Sequence, residues 1–175
     1  MAVKRVLYYP DEPLTRKAKP VESFGAKLEH LVSDLFETMY EHEGVGLAAP
    51  QIGVSKRLFV LREPERESIC FVNPEILEQE GREEGEEGCL SMPRVYAMVP
   101  RATRIKVRAQ DMAGDAFEME AADFLARIIQ HEIDHLDGML FPERLDIITR
   151  QEKLEEWAEI REQLLAEAAE TKHAN

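Results

Sequence analysis

The sequence predicts an α+β fold in which antiparallel sheets pack around a central helix, with an N-terminal helix and a C-terminal helix at the flanks. Three observations predict it. Apolar residues recur at helical spacing in three separated stretches. Between the first two lie short segments that are either apolar or alternate strictly. Long crossover helices do not alternate with those strands, which disfavours a parallel sheet.

Each element follows in order. Phe24–Glu43 reads as a helix, with Leu28, Leu31, Leu35 and Met39 on one side. Arg57–Leu61 and the apolar run Ile69–Val72, which includes Cys70, read as strands. The acidic stretch from Glu78 to Glu87 reads as a solvated loop, with Glu87 set apart because it lies two residues before Cys89. In Arg104–Gln110, Ile105 and Val107 oppose Arg104, Lys106 and Arg108. The turn Met112-Ala113-Gly114-Asp115 joins that strand to Phe117-Glu118-Met119 as a hairpin. Ala121–Leu136 is the central helix, and Gly138 is its stop. Thr149–Ala169 is the last helix, with Leu154, Trp157, Ile160 and Leu164 along one side.

Length bounds the organisation. The 175 residues suffice for one domain, 1–175, with 149–175 as its C-terminal helix and tail. Two cysteines imply no disulfide framework. Met1–Pro10 lacks the apolar core of a signal peptide, and no stretch approaches membrane-spanning length. The expectation is a cytoplasmic protein without membrane contact. The net charge of −13 weighs against binding DNA or nucleic acid broadly.

The chemistry starts at His131-Glu132-Ile133-Asp134-His135. On a helix, residues i and i+4 share a face, so both imidazoles reach one ion. Glu132 stands beside the first of them, placed to act as general base on a water molecule. An open catalytic site needs a third protein ligand. Where one HExxH pattern has a downstream histidine, this chain has Phe141, which cannot ligate. A downstream glutamate is a second option, and Glu155, Glu156 and Glu159 have suitable spacing. The third option is Cys89, whose thiol a neighbouring cation would ionise. A lone cysteine is more often a small buried residue, but the absence of a downstream histidine favours ligation here. Cys-His-His suits zinc, iron(II), cobalt(II) or nickel(II).

Gly44-Val45-Gly46-Leu47-Ala48-Ala49-Pro50-Gln51 mimics a dinucleotide fingerprint. A charged amphipathic stretch precedes it where a strand is needed, and Pro50 would break the helix that must follow. Its small residues instead let backbone approach a substrate closely, with Gln51 as an amide donor.

These three blocks, Gly44–Gln51, Glu87-Gly88-Cys89-Leu90-Ser91 and the HExDH pentad, resemble the motifs of the peptide deformylase family, in the family's order. The resemblance runs from Asp11 to about Leu145. It implies a catalytic domain with Cys89, His131 and His135 as metal ligands and iron(II) as the native ion, zinc, nickel or cobalt being alternatives. It also implies that Glu132 shuttles the proton, and that the Leu90 backbone N–H and the Gln51 amide hold the oxyanion. The implied substrate is the N-formyl-methionyl end of a nascent polypeptide, cleaved to formate and a free amino terminus.

Val45, Phe124 and Ile128 are expected to hold the methionine side chain, with Gly46, Glu87, Tyr96 and Arg127 as further substrate contacts. Arg127 and Tyr96 depart from residues that many members carry. Arg127 is read either as reaching the pocket or as a solvated helix-edge residue. Some bacterial members dock on the ribosome through a basic C-terminal helix. Here the tail carries Arg150, Lys153, Arg161 and Lys172 against seven glutamates, so any ribosome contact is expected to be transient and the tail to serve stability.

Overall fold

The computed structural model describes residues 2–63 and 66–174. Helix α1 spans Ala26–Glu41 and buries Leu28, Val32, Leu35 and Met39. Strand β1, Gly46–Ala48, is followed by a short 3-10 turn over Ala49–Ile52 that accommodates Pro50. Strands β2 (Leu58–Glu63) and β3 (Arg66–Glu80) follow, then β4 (Glu83–Cys89) and β5 (Met92–Arg101). Strands β6 (Arg104–Gln110) and β7 (Ala116–Ala122) lead into helix α2, Asp123–Leu136. The chain ends in α3, Ile147–Ala174.

All pairings within the sheets are antiparallel. One sheet has the order β1-β2-β3-β6-β7, and among the described residues β4 and β5 pair as a separate two-stranded sheet. Helix α2 lies on the large sheet. Its Ala126, Ile129 and Ile133 join Phe59, Phe71 and Val107 in one apolar cluster. Helix α1 covers another part of that sheet through Leu47, Leu58, Val60 and Val72. A third cluster backs the β4–β5 hairpin, where Val95 and Val99 meet Leu14, Phe141 and Trp157.

The acidic stretch is not a loop. Glu78–Glu80 ends β3, and β4 begins at Glu83. Charge marks the side of the ribbon that faces water, not the state of its backbone. Glu83, Glu84 and Glu86 are exposed, whereas Glu87, paired with Ala97 of β5, is buried. The expected strand at Ile69–Val72 is the middle of a longer one. A shift in its pairing with β6 between Val72 and Glu75, beside Pro74, lets it continue past a residue that cannot donate to the ladder. Gly138 ends α2 as expected. Its φ of +75° favours glycine, and a Cβ there would lie 2.8 Å from the Arg16 carbonyl carbon.

The first half of α3 is anchored to the body. Trp157 is 2 % exposed, and its Nε1 donates to the Tyr9 carbonyl at 2.8 Å. Leu154, Ile160 and Leu164 pack beside it, and Arg161 meets Asp11 at 3.1 Å. Truncation after Ile148 should uncover this patch and lower the melting temperature by roughly 10 °C in a calorimetric scan, given what loss of a buried tryptophan costs. An unchanged transition would show that α3 adds nothing to the fold.

Candidate metal centre and active site

Three segments meet at one point. Helix α2 presents His131 and His135 from adjacent turns, with ring centroids 5.0 Å apart. The end of β4 presents Cys89, whose Sγ is 3.3 Å from His135 Nε2. One ligand atom from each of the three lies within 4.8 Å of the other two. A tetrahedral ion with bonds of ordinary length would set sulfur and nitrogen about 3.6 Å apart, so the set fits a divalent cation. Glu155, Glu156 and Glu159 do not join the cluster. All three are exposed on α3, where Glu155 bonds Gln151 and Glu156 pairs with Lys153. Phe141 sits 1 % exposed with its ring stacked toward His131, so the position without a ligand is part of the core behind the site.

Glu132 is 3 % exposed, and its Oε2 has no hydrogen-bond partner among the described residues. Burial raises its carboxyl to about 7, with the His131 charge opposing the shift. Such a carboxyl exchanges protons near neutrality. Gly46 runs directly over it, and a Cβ at Gly46 would lie 2.7 Å from Glu132 Oε1. The close approach expected at this glycine is therefore made by Glu132, not solely by a substrate.

Gln51 is fixed at both ends. Its Oε1 accepts from the Ala48 backbone N–H at 2.9 Å, and its Nε2 donates to Ser91 Oγ at 3.1 Å and lies 3.7 Å from Cys89 Sγ. That points the amide donor at the ligand cluster.

Glu87 and Arg127, both expected as substrate contacts, also make bonds within the protein. Glu87 is 7 % exposed, and both its oxygens are engaged within the protein. Oε1 pairs with His131 Nδ1 at 2.8 Å, while Arg101 donates to both oxygens at 2.9 Å. These bonds outweigh burial and hold the Glu87 carboxyl at about 2. Burial opposes a charged His131 ring, but hydrogen bonds to Cys89 and Glu87 raise it to about 10 in the metal-free chain. Burial and the neighbouring His131 charge push His135 well below its ordinary value. With Nδ1 of His131 committed to Glu87, its Nε2 is the atom free to ligate. The Arg127 guanidinium is turned into the protein, donating to Glu87 Oε2, Val99 O and Glu83 O.

The spacing of residues carries no signal for the rest of this network. Arg101 is 5 % exposed and links Glu87 to Asp134, which Arg144 grips from the other side at 2.6 and 3.0 Å. Asp134 belongs to the pentad, yet its partners lie 33 and 10 residues away. Arg101→Leu would leave two buried carboxylates without their shared cation. It should cost about 3–5 kcal/mol in urea unfolding. A loss below about 1 kcal/mol would mean that Arg144, Arg127 and solvent suffice.

The cluster opens on a cavity of about 610 Å³, a size that accepts a small ligand. Val45, Gly46, Gln51, Glu87, Cys89, Leu90, Tyr96, Phe124, Arg127, Ile128, His131 and Glu132 all line it, and His135 lies behind. Ile128 is buried in its wall, while Val45, Tyr96 and Phe124 are exposed at its mouth. A buried base beside a candidate cation, facing a pocket with amide donors, suits hydrolysis of a carbonyl compound.

The comparisons agree with this geometry. The family described as polypeptide deformylase matches residues 3–151. A peptide deformylase of Acidobacterium capsulatum is 49 % identical over 154 residues, covering 86 % of this chain and 91 % of that protein. The crystal structure of a peptide deformylase from Legionella pneumophila superposes with a TM-score of 0.88 at 44 % identity, covering 94 % of this chain and 98 % of that one. The crystal structure of peptide deformylase from Thermus thermophilus gives a TM-score of 0.84 at 51 % identity, covering 87 % and 92 %. The chain belongs to the peptide deformylase family, metal-dependent hydrolases that remove the N-formyl group from newly made polypeptides.

Proposed function

We propose that deformylation in this chain runs on one divalent ion held by Cys89, His131 and His135, with Glu132 as the proton carrier. The observation that carries this reading is the buried Glu132 carboxylate, whose Oε2 has no hydrogen-bond partner among the described residues, beside a three-residue ligand set on the wall of one cavity. When bound, the ion acidifies the attacking water and polarises the formyl carbonyl. Glu132 takes a proton from that water and delivers it to the departing amine. The Leu90 backbone N–H and Gln51 Nε2 donate to the developing oxyanion. Glu87 keeps His131 in the tautomer and orientation that ligation needs.

Ile128, Phe124 and Val45 form the wall for an unbranched methionine side chain. Tyr96 and Gly46 border the path of the following residues. The donor set accepts zinc, cobalt(II) or nickel(II), and iron(II) is the native ion in this reading, on the strength of the family resemblance. Residues 1–175 act as one catalytic domain, with 149–175 as a buttress. Its acidic surface makes any ribosome contact transient. The substrate, a nascent chain, puts the protein in the cytoplasm. Among the described residues no helix is long and apolar enough to cross a membrane.

Anaerobic metal analysis coupled to formate release from formyl-Met-Ala-Ser tests the whole reading. It fails if metal-replete protein releases no formate, or cleaves casein instead. The oxyanion donors have their own test. Gln51→Leu removes one of them and should lower turnover by about a hundredfold with metal content intact. Unchanged turnover would reduce Gln51 to a brace for the Ala48–Gln51 turn.

A further inference from the structure

The ligands arrive on two separate bodies. Helix α2 brings both histidines, and the β4–β5 hairpin, which forms its own two-stranded sheet, brings the thiol. Arg127 lies one turn before His131 and spans the gap between these bodies. Its guanidinium donates to Glu83 O at 2.9 Å, to Val99 O at 2.7 Å and to Glu87 Oε2 at 2.6 Å. The first two acceptors are backbone atoms on the two strands of the hairpin. The third is the carboxylate whose other oxygen meets His131 at 2.8 Å. A planar fork reaches three acceptors in different directions, which an ammonium on a single stem cannot match. Opposite it stands Gly85. A Cβ there would lie 2.8 Å from Arg127 Nε and Cζ and 2.9 Å from Nη2. Only a residue without a side chain lets the guanidinium lie flush on β4.

We infer that Arg127 is a positioning residue for the metal centre, fixing the Cys89 strand against the histidine helix, and that Gly85 is its obligate partner. The inference rests on the ligand assignment proposed above. The pair works as one device. Arg127 supplies the donors, and Gly85 supplies room for them together with a carbonyl that accepts from Nη1 at 3.5 Å.

Cobalt(II) binding tests this, read through the thiolate-to-cobalt absorption band and by competition with a chromogenic chelator. Arg127→Met should raise the cobalt dissociation constant by roughly ten- to a hundredfold, the range for outer partners of metal ligands. Gly85→Ala should do the same although it deletes no hydrogen-bonding group. The double variant should bind no more weakly than the weaker single one, because either change disables the same contact. Arg127→Lys should recover part of the loss, and it keeps the comparison open should Arg127→Met not fold. A merely structural role predicts a lower melting temperature with unchanged cobalt affinity of the folded protein, and that result overturns the inference. So does additivity of the two single changes. Cys89→Ala serves as the control. If it loses cobalt while Arg127→Met and Gly85→Ala bind like the parent, the inference fails and the ligand assignment stands. If Cys89→Ala itself binds like the parent, the ligand assignment is what fails.

Discussion

Replacing Glu132 with glutamine should lower turnover of formyl-Met-Ala-Ser by about a hundredfold or more while metal content stays at the parental level. The change keeps the size of a side chain that is 3 % exposed and pressed against Gly46, so the packing around it survives. What disappears is basicity. An amide can neither accept a proton from water nor return one to the departing amine. Burial favours such exchange by raising the carboxyl above the ordinary carboxylate range, to about 7 in the metal-free chain. The same substitution should barely change the dissociation constant of a competitive inhibitor that lacks the formyl group, since no step of binding needs that proton. Near-parental turnover in a metal-replete preparation would remove Glu132 from the mechanism.

Cys89→Ala should reduce the metal retained after gel filtration from near one equivalent toward none, with formate release falling in parallel. The alanine keeps the strand register of β4 and β5, whose Cys89–Met92 pairing is set by backbone. It takes away the one anionic ligand, leaving two neutral imidazoles that a small chelator outcompetes. Glu155→Ala and Glu156→Ala, on the exposed side of α3, should retain metal as the parent does. Full retention by Cys89→Ala, or its loss in either glutamate variant, would return the third ligand to the downstream helix.

Legibility in the sequence divides along a physical line. Local periodicity exposes the helices, because Leu28 to Met39 and Leu154 to Leu164 repeat within a few turns. The pentad exposes itself for the same reason, since its chemistry depends on i, i+4 spacing. Strand β1 is not legible, because three residues in a glycine-rich block carry no period of their own. Strand β4 reads as a loop because its exposed glutamates resemble solvated coil, whatever the backbone beneath them does. The buried network is hidden for another reason. Glu87, Arg101 and Asp134 meet across 14 and 33 residues of chain, and no window of sequence records that pairing. Arg127 shows the same limit. On a helix diagram it looks like an edge residue free for solvent, and only the hairpin laid across it reveals why Gly85 is small.

Cys89 and His135 lie 46 residues apart in the chain, and only folding brings them to 3.3 Å. With the ligand set proposed above, the unfolded chain would hold no comparable chelate, and an ion would select the native state by mass action. At a free ion concentration about one hundred times the dissociation constant, this linkage adds about 2.7 kcal/mol to the folding free energy. The apparent stability of the enzyme is thus a property of the solution as much as of the polypeptide. On that ligand set, a fall in free metal would cost folded protein along with activity.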